Sequence, residues 1–237
     1  MKSSAPIHRL KRKARLLSRE EHIPLHDALD RVALQEGYAS WSLLAVKRTS
    51  TPQASNLFQR LSPGDLVLMG ARPGQGKTLM GLKLAVEAMR SGQRSAFFTL
   101  EYTANDVLDR LRAIGAEPAQ FAGLFELDCS DAISADHIMT ALAVAPRGTL
   151  AVVDYLQLLD QKRENPALAV QVAALKSFAR DRGLIVVFIS QIDRSYDPSK
   201  RPCPDVRDVR LPNPLDLSLF NKTCFLNKGE VRFRAAN

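Results

Sequence analysis

The sequence predicts an α/β protein with a mostly parallel sheet covered by helices on both faces, preceded by a small helical module. From residue 64 onward, short apolar or β-branched runs alternate with stretches of helical periodicity. Strands buried on both faces have continuous apolar sequences of this kind, and parallel strands require such helical connections. The 237 residues are enough for one large domain and a small appendage.

The individual elements follow from the same pattern. Apolar runs predict five strands, at 65–69, 94–100, 124–128, 149–155 and 184–190. Four helical stretches are predicted at 77–91, 104–114, 134–145 and 166–182. A glycine lies just beyond the end of each stretch, as is typical of helix ends. The turn NKG before EVRFRA predicts a terminal β-hairpin.

Three segments make up the predicted organisation: a basic helical module at 1–47, a linker at 48–56 and the α/β domain at 57–237. The linker is polar and contains Ser, Thr and Pro. No run approaches the ~18 apolar residues of a membrane-spanning helix. Three widely spaced cysteines argue against a disulfide framework or a zinc site, and they predict a cytoplasmic protein.

Positive charge is concentrated near the beginning of the sequence. The formal net charge is +8, and residues 1–19 contain seven lysines and arginines but no acid. Such a block attracts polyanions, with nucleic acid as the usual partner. A solvated helix face or a flexible solubilising tail explains the same block equally well, so both interpretations stay open.

The segment GARPGQGKT at 70–78 predicts a phosphate-binding loop between the first strand and the helix after it. Backbone N–H groups at such a helix start point at phosphates, and the helix dipole favours negative charge there. Gly74 and Gly76 permit the tight turn, Lys77 is predicted to bridge the β- and γ-phosphates of ATP, and the Thr78 hydroxyl to bind Mg²⁺. The predicted nucleotide contacts are Ala71, Arg72, Pro73, Gly74, Gln75, Gly76, Lys77 and Thr78. The first of these stands where the strict motif has a glycine.

Two carboxylates complete the predicted site. Asp154 ends an apolar strand, which is the position of an aspartate that holds Mg²⁺. Glu101 follows the strand at 94–100, and a carboxylate at this edge of a parallel sheet faces the nucleotide crevice, where it can orient or deprotonate water. Alternatively, Glu101 only precedes a helix start at Thr103–Asp106. Position alone does not decide between these roles.

Five motifs follow one another along the α/β region: ARPGQGKT, TLEY, DYLQL, SQIDRS and KRPCPDVR. In this order they resemble the motifs of the DnaB-type family of bacterial replicative DNA helicases. ARPGQGKT at 71–78 resembles the P-loop of that family, including its alanine. TLEY at 99–102 is similar to the element that carries the catalytic glutamate, and DYLQL at 154–158 is intact. SQIDRS at 190–195 and KRPCPDVR at 200–207 are similar to the two remaining motifs.

The resemblance implies a RecA-like ATPase that assembles into a ring, usually hexameric, and moves along single-stranded DNA. It implies that Glu101 and Lys77 are catalytic and that Gln191 senses the γ-phosphate. It implies the same Mg²⁺ ligands, Thr78 and Asp154.

The resemblance also implies DNA contacts near Arg207 and Arg210. Here the sequence departs from the small residues of the family, and a surface loop salt-bridged through Asp205 and Asp208 is an equally good interpretation. The C-terminal segment departs further, and four cations are candidates to reach the ATP of a neighbouring subunit: Lys222, Lys228, Arg232 and Arg234. Two functions therefore remain, a DNA helicase or translocase and a nucleotide-gated DNA-binding, regulatory or loader ATPase that does not unwind.

Overall fold

A computed structural model describes residues 7–38, 40–41, 44, 52–160, 164–211 and 213–235. Contacts divide the chain into two units, residues 1–53 with 113–115 and residues 54–112 with 116–237. The division falls inside the segment 48–56, where a linker is predicted. Residues 48–51 lie outside the described part, and residues from Pro52 onward form a helix. The predicted domain boundaries at 47 and 57 therefore stay a prediction.

The larger unit is built on one seven-stranded sheet. Its strands are β1 Leu66–Ala71, β2 Ser95–Thr99, β3 Phe125–Asp128, β4 Leu150–Asp154, β5 Ile185–Gln191, β6 Lys222–Asn227 and β7 Glu230–Ala235. The strand order is β3-β2-β4-β5-β1-β6-β7, and every pair is parallel except β6–β7. The predicted mostly parallel sheet is thus confirmed. The terminal hairpin adds a parallel strand and an antiparallel edge strand to it.

Seven α-helices accompany the strands in the described residues. They are α1 Ile7–Glu20, α2 Leu25–Gln35, α3 Pro52–Phe58, α4 Lys77–Arg90, α5 Ala104–Ala113, α6 Ala135–Ala141 and α7 Leu168–Arg182. Helix α6 ends four residues before the predicted limit at 145. Pro146 disfavours the helical conformation at Ala145, so the helix is not able to reach the predicted limit. None of the described helices combines the length and apolarity needed to cross a bilayer.

Helices cover the sheet because its strands bury alternate side chains on opposite faces. Leu68, Val153 and Phe188 join a core cluster with residues of α6 and α7. On the other face α4 packs against β1, β2, β4 and β5. A Cβ on Gly81 of α4 would lie 2.9 Å from Ile189 Cδ1 and 3.0 Å from Val152 Cγ1. The helix that follows the P-loop is therefore seated directly on the central strands.

The smaller unit has its own apolar cluster. Leu10 and Ala14 of α1 are buried together with residues of α2, and Trp41 packs against them. The Trp41 amide donates a hydrogen bond to the Asp30 carboxylate, at 2.7 Å. The apolar side of each helix in this unit is thus occupied from within.

We expect Gly81→Val to lower the free energy of unfolding by roughly 1–3 kcal/mol, the usual cost of overpacking a core. Valine forms helices better than glycine, so a loss of stability reports the contact with the sheet. Urea denaturation followed by circular dichroism measures it. Arg90→Val, at the exposed end of the same helix, is the matched control. Equal losses in both variants would contradict the close packing of α4.

Candidate nucleotide-binding site

The turn between β1 and α4 has the backbone shape of a phosphate-binding loop. Gly74 and Gly76 have φ angles of 75° and 82°, in the left-handed region that favours glycine. A Cβ at either position would meet nothing within 4 Å, so backbone conformation rather than crowding calls for glycine. Helix α4 begins at Lys77 without a side-chain cap. Its first amides are therefore available to an anion, at the positive end of the helix dipole.

The structure explains the alanine of the P-loop. Ala71 is the buried last residue of β1 and pairs in register with Gln191 of β5. A strand residue has extended backbone, which requires no glycine. Gly70 is the position without space, since a Cβ there would lie 2.7 Å from the ring of Phe225. The one-residue shift of the glycine therefore follows from packing against β6.

Asp154 is a fully buried carboxylate at the end of β4, and the peptide bond after it is cis. Within the described residues, neither of its oxygens has a hydrogen-bond partner of standard geometry. Burial raises the pKa of Asp154 to about 6, against the opposing influence of the Thr78 side chain and the Lys77 charge, and the nearby charge of Glu101 adds to the rise. These four side chains, predicted from three separate segments, therefore lie close together.

The pair Asp154 and Thr78 fits a Mg²⁺ ion that is also held by phosphates. A buried carboxylate without partners is costly unless a cation or a proton neutralises it. Mg²⁺ prefers oxygen ligands, and proteins usually supply one or two carboxylates while substrate phosphates supply the rest. The described residues contain no group of three or more acidic, histidine or cysteine side chains that would hold a metal without such help.

Glu101 lies two residues beyond the end of β2, and its side chain is exposed. Its amide donates to the Thr99 hydroxyl, at 3.1 Å. The helix start that offered an alternative role is present, because Thr103 and Asp106 bond to each other across the first turn of α5. Glu101 is not a partner in that cap. Its charge is near enough to Asp154 to add to the rise of the pKa of that carboxylate.

Arg110 of α5 is a positively charged residue close to the site, and none of the sequence motifs includes it. Its guanidinium lies 4.2 Å from the centroid of the Tyr102 ring, directly beside Glu101 in sequence. Its positive charge acts to lower the pKa of Asp154. The sequence carries no signal for this residue, since only the fold brings α5 to this edge of the sheet.

Gln191, at the end of β5, connects the site to the loop that follows it. Its carbonyl accepts a hydrogen bond from the Arg210 amide, at 2.8 Å. Ile192 and Val209 form an antiparallel bridge next to this bond. The backbone around Arg210 is therefore fastened to the strand that ends at Gln191.

Gln157 is a second connection that motif reasoning missed. It belongs to DYLQL, from which only the aspartate was selected. Its buried amide nitrogen donates to the Ser190 hydroxyl at 3.1 Å and to the Arg210 carbonyl at 2.6 Å. A glutamine inside an apolar run was the available signal, because a buried amide needs partners. It ties the segment after Asp154 to the same loop as Gln191 does.

The two predicted DNA contacts, Arg207 and Arg210, have different surroundings in the structure. Arg207 pairs with Asp205 at 2.7 Å, as the alternative interpretation expects, although its side chain is largely exposed. That hydrogen bond is the main reason why the pKa of Asp205 lies well below its usual range. Arg201 pairs with Asp205 and Asp208 and completes the network. Arg210 instead lines a cleft beside the P-loop.

This cleft has a volume of about 480 Å³ and is lined by four cations and no acid of the described chain: Arg72, Arg194, Arg210 and Lys228. Lys228 lies at the tip of the β6–β7 hairpin, and its amide donates to the side-chain oxygen of Gln75, at 2.7 Å. The hairpin therefore touches the P-loop of its own chain.

The candidate cations of the C-terminal segment are not equivalent. Lys222 lies against Asp65, at 2.5 Å, and also donates to the Arg60 carbonyl, so it is committed within its own chain. Arg232 and Arg234 are exposed on the edge strand β7. These two are therefore better placed than Lys222 to reach another molecule.

We expect Asp154→Asn to remove a pH dependence of stability. A raised pKa means that the folded protein binds more protons than the unfolded one between pH 3.8 and about 6, so the contribution of Asp154 to the free energy of unfolding falls as pH rises through that window. The stability of the asparagine variant relative to the native protein should therefore rise from pH 4 to 6 and level off above. Urea unfolding with a chelator and without nucleotide measures it. Asp109→Asn, at an exposed carboxylate, is the control, and parallel profiles for Asp154→Asn and the native protein would contradict the argument.

Comparisons with known proteins agree with this arrangement. The family model of the DnaB-like helicase C terminal domain matches residues 48–120. Similar proteins include the replicative DNA helicase DnaB of Helicobacter pylori, 25% identical over 68% of this chain, and that of Leifsonia xyli, 26% identical over 81%. These matches cover 40% and 49% of the two relatives. The chain thus spans less than half the length of either relative.

Solved structures share the fold. One, of a DnaB-like replicative helicase and its interactions with primase, aligns with a TM-score of 0.61 and 20% identity over 83% of this chain and 56% of that one. Another, of an ATPase domain, aligns with a TM-score of 0.60 and 18% identity over 75% of each chain. These likenesses confirm the RecA-like fold. Together with the family match over residues 48–120 and the five motifs, they show that the chain is similar to the DnaB-type family of replicative helicases.

Proposed function

We propose that this chain hydrolyses ATP with Mg²⁺ and acts on single-stranded DNA as a helicase or translocase in the cytoplasm. One observation carries the proposal of hydrolysis: the buried, unpartnered carboxylate of Asp154 lies beside Thr78 at the start of the P-loop helix. A structural aspartate would have hydrogen-bond partners at this depth. A binding site for a metal and phosphates explains why this one has no partner of standard geometry among the described residues.

Each predicted residue has one task in the proposed reaction. The amides of the loop 71–78 and the Lys77 ammonium bind the phosphates of ATP. Thr78 and Asp154 would hold Mg²⁺, which would offset the negative charge of the phosphates. Glu101 orients the attacking water and accepts its proton while the bond from water oxygen to the γ-phosphorus forms. The bond from that phosphorus to the oxygen bridging to ADP then breaks, and Gln191 contacts the transferred phosphate.

The link from ATP to DNA runs, in this proposal, through the loop that follows β5. Gln191 and Gln157 both bond to the backbone of Arg210. A shift at the γ-phosphate therefore reaches that loop through two hydrogen bonds. Similarity to the DnaB-type family supports assembly into a homo-oligomeric ring, and the exposed cations of β7 are the candidates to contact the ATP of a neighbour.

A second function is favoured by one specific observation. Arg207, the other predicted DNA contact, is engaged by Asp205 within the same loop. A loop closed by its own salt bridges suits a nucleotide-gated DNA-binding, regulatory or loader ATPase that does not unwind. The two functions make the same demand on the ATP site and differ in whether DNA drives turnover.

We expect Lys77→Ala to abolish ATP binding or turnover and Glu101→Gln to keep binding. Turnover in the glutamine variant should fall by a factor on the order of 10² to 10⁴, because acid–base help is lost. Phosphate release measures turnover, and a fluorescent nucleotide analogue measures binding. Glu126→Gln, at an exposed carboxylate on β3, is the control. Normal ATP turnover in Glu101→Gln would contradict the proposal that Glu101 is the general base.

We expect single-stranded DNA to increase the ATP turnover of the native chain if it is a motor. The comparison is the phosphate-release rate with and without an oligonucleotide, alongside strand displacement of a forked duplex. Turnover that ignores DNA, with no displacement, would instead support the non-unwinding ATPase. No turnover under any condition would defeat both functions.

A further inference from the structure

Helix α1 exposes its basic side chains to solvent because its apolar side packs against α2. Leu10 and Ala14 are at most 2% exposed and pack with residues of α2. The other residues of the helix from Arg9 onward are exposed or half-buried. Six of these exposed or half-buried residues are basic: Arg9, Lys11, Arg12, Lys13, Arg15 and Arg19. The outward face of the helix is therefore strongly positive.

Three of these cations form a row along the helix. At about 100° per residue, Arg12, Arg15 and Arg19 lie within about 60° of one another, and their mean direction is about 150° from that of the buried pair. They rise about 10 Å along the axis, and no acid precedes Glu20 in the helix. The row is thus a narrow strip of positive charge.

The strip is not neutralised by the part of the chain that the structure describes. None of the ion pairs between described residues includes Arg12, Arg15 or Arg19. Lys13, at the side of the strip, bonds to the neutral side chain of Gln35. Exposed arginines elsewhere differ, as shown by three that pair with Glu87, Asp109 and Asp181. Concentrated, unpaired charge of one sign attracts an extended anion.

A membrane surface is the weaker candidate for that anion. An amphipathic helix binds a bilayer through a free apolar face. In α1 that face is buried by α2, and Leu16, 49% exposed, is the one large apolar side chain on the basic side. A polymer with regularly repeated negative charge needs no apolar face, and nucleic acid is such a polymer.

We propose that the outward face of α1 binds the phosphate backbone of nucleic acid, through Arg12, Arg15 and Arg19. The contact does not depend on base sequence and works without ATP. It therefore goes beyond the proposed motor activity and does not rest on it. Single-stranded and duplex DNA share this backbone chemistry, and the experiment separates them.

The test uses the full chain and two triple variants with the same change in net charge. One variant carries Arg12→Gln, Arg15→Gln and Arg19→Gln. The other replaces three cations that have acidic partners, Arg90→Gln, Arg112→Gln and Arg180→Gln. Glutamine keeps good helix propensity, and circular dichroism confirms that both variants are folded. Fluorescence anisotropy without nucleotide measures affinity for a labelled single strand and a labelled duplex between 50 and 200 mM salt, as is usual for such series.

Loss of three phosphate contacts has a defined expected size. The slope of log K against log salt should become shallower by about 2 for the single strand and nearly 3 for the duplex. At about 0.1 M salt this corresponds to a loss of affinity on the order of a hundredfold for the single strand. The polymer with the larger loss is the preferred partner, and the control variant should keep the native slope.

An unchanged slope in the α1 variant would overturn the proposal, as would an equal change in the control. Stronger loss of binding to vesicles of anionic lipid than to either DNA would assign the face to membranes instead. ATP turnover without DNA is measured on the same samples. If turnover is absent from the native chain while the α1 slope changes, the proposed motor function fails and this inference stands.

Discussion

The parallel register of the central strands is the constraint on which this structure depends. Because β2, β4, β5 and β1 run in the same direction, their carboxyl ends reach one edge together. Ala71 pairs with Gln191, and Asp154 pairs with Thr99 on one side and Ile189 on the other. Residues separated by as many as 120 positions in sequence thereby become neighbours. The close seating of α4 on the same strands, at Gly81, then sets the P-loop against them.

The same geometry explains why Asp154 is buried without partners. A strand in the centre of a covered sheet removes its last side chain from water, so the carboxylate loses solvation, and its pKa rises to about 6. In a purely structural position this would be a defect. Functional sites commonly contain features that lower stability locally, and residues with strongly shifted pKa values are found there more often than elsewhere. The family resemblance and the unfavourable burial of Asp154 therefore point to the same residue, by independent arguments.

Charge is used in two ways in this molecule. In the loop 201–208 basic and acidic side chains neutralise each other, so that the loop has a defined shape but little free charge. On α1 and in the cleft beside the P-loop, cations face solvent with no acid lining them among the described residues. Association with a polyanion depends on charge of the second kind. The two surfaces belong to different units, and each is argued from its own contacts.

The sequence by itself determined the α/β class, the parallel sheet, the helices α4 to α7 and the terminal hairpin. These follow from local periodicity and from glycine and turn chemistry, which are written along the chain. The P-loop and Asp154 could also be selected, because each lies at the end of a predicted strand. Position alone left the role of Glu101 open, and Gln191 was selected only through the family resemblance. Only the tertiary structure decided that Arg207 pairs with Asp205, that Lys222 is held by Asp65, and that Gln157 and Arg110 reach the site. Those contacts join residues through the packing of separate elements, and no local pattern encodes which side chains will meet.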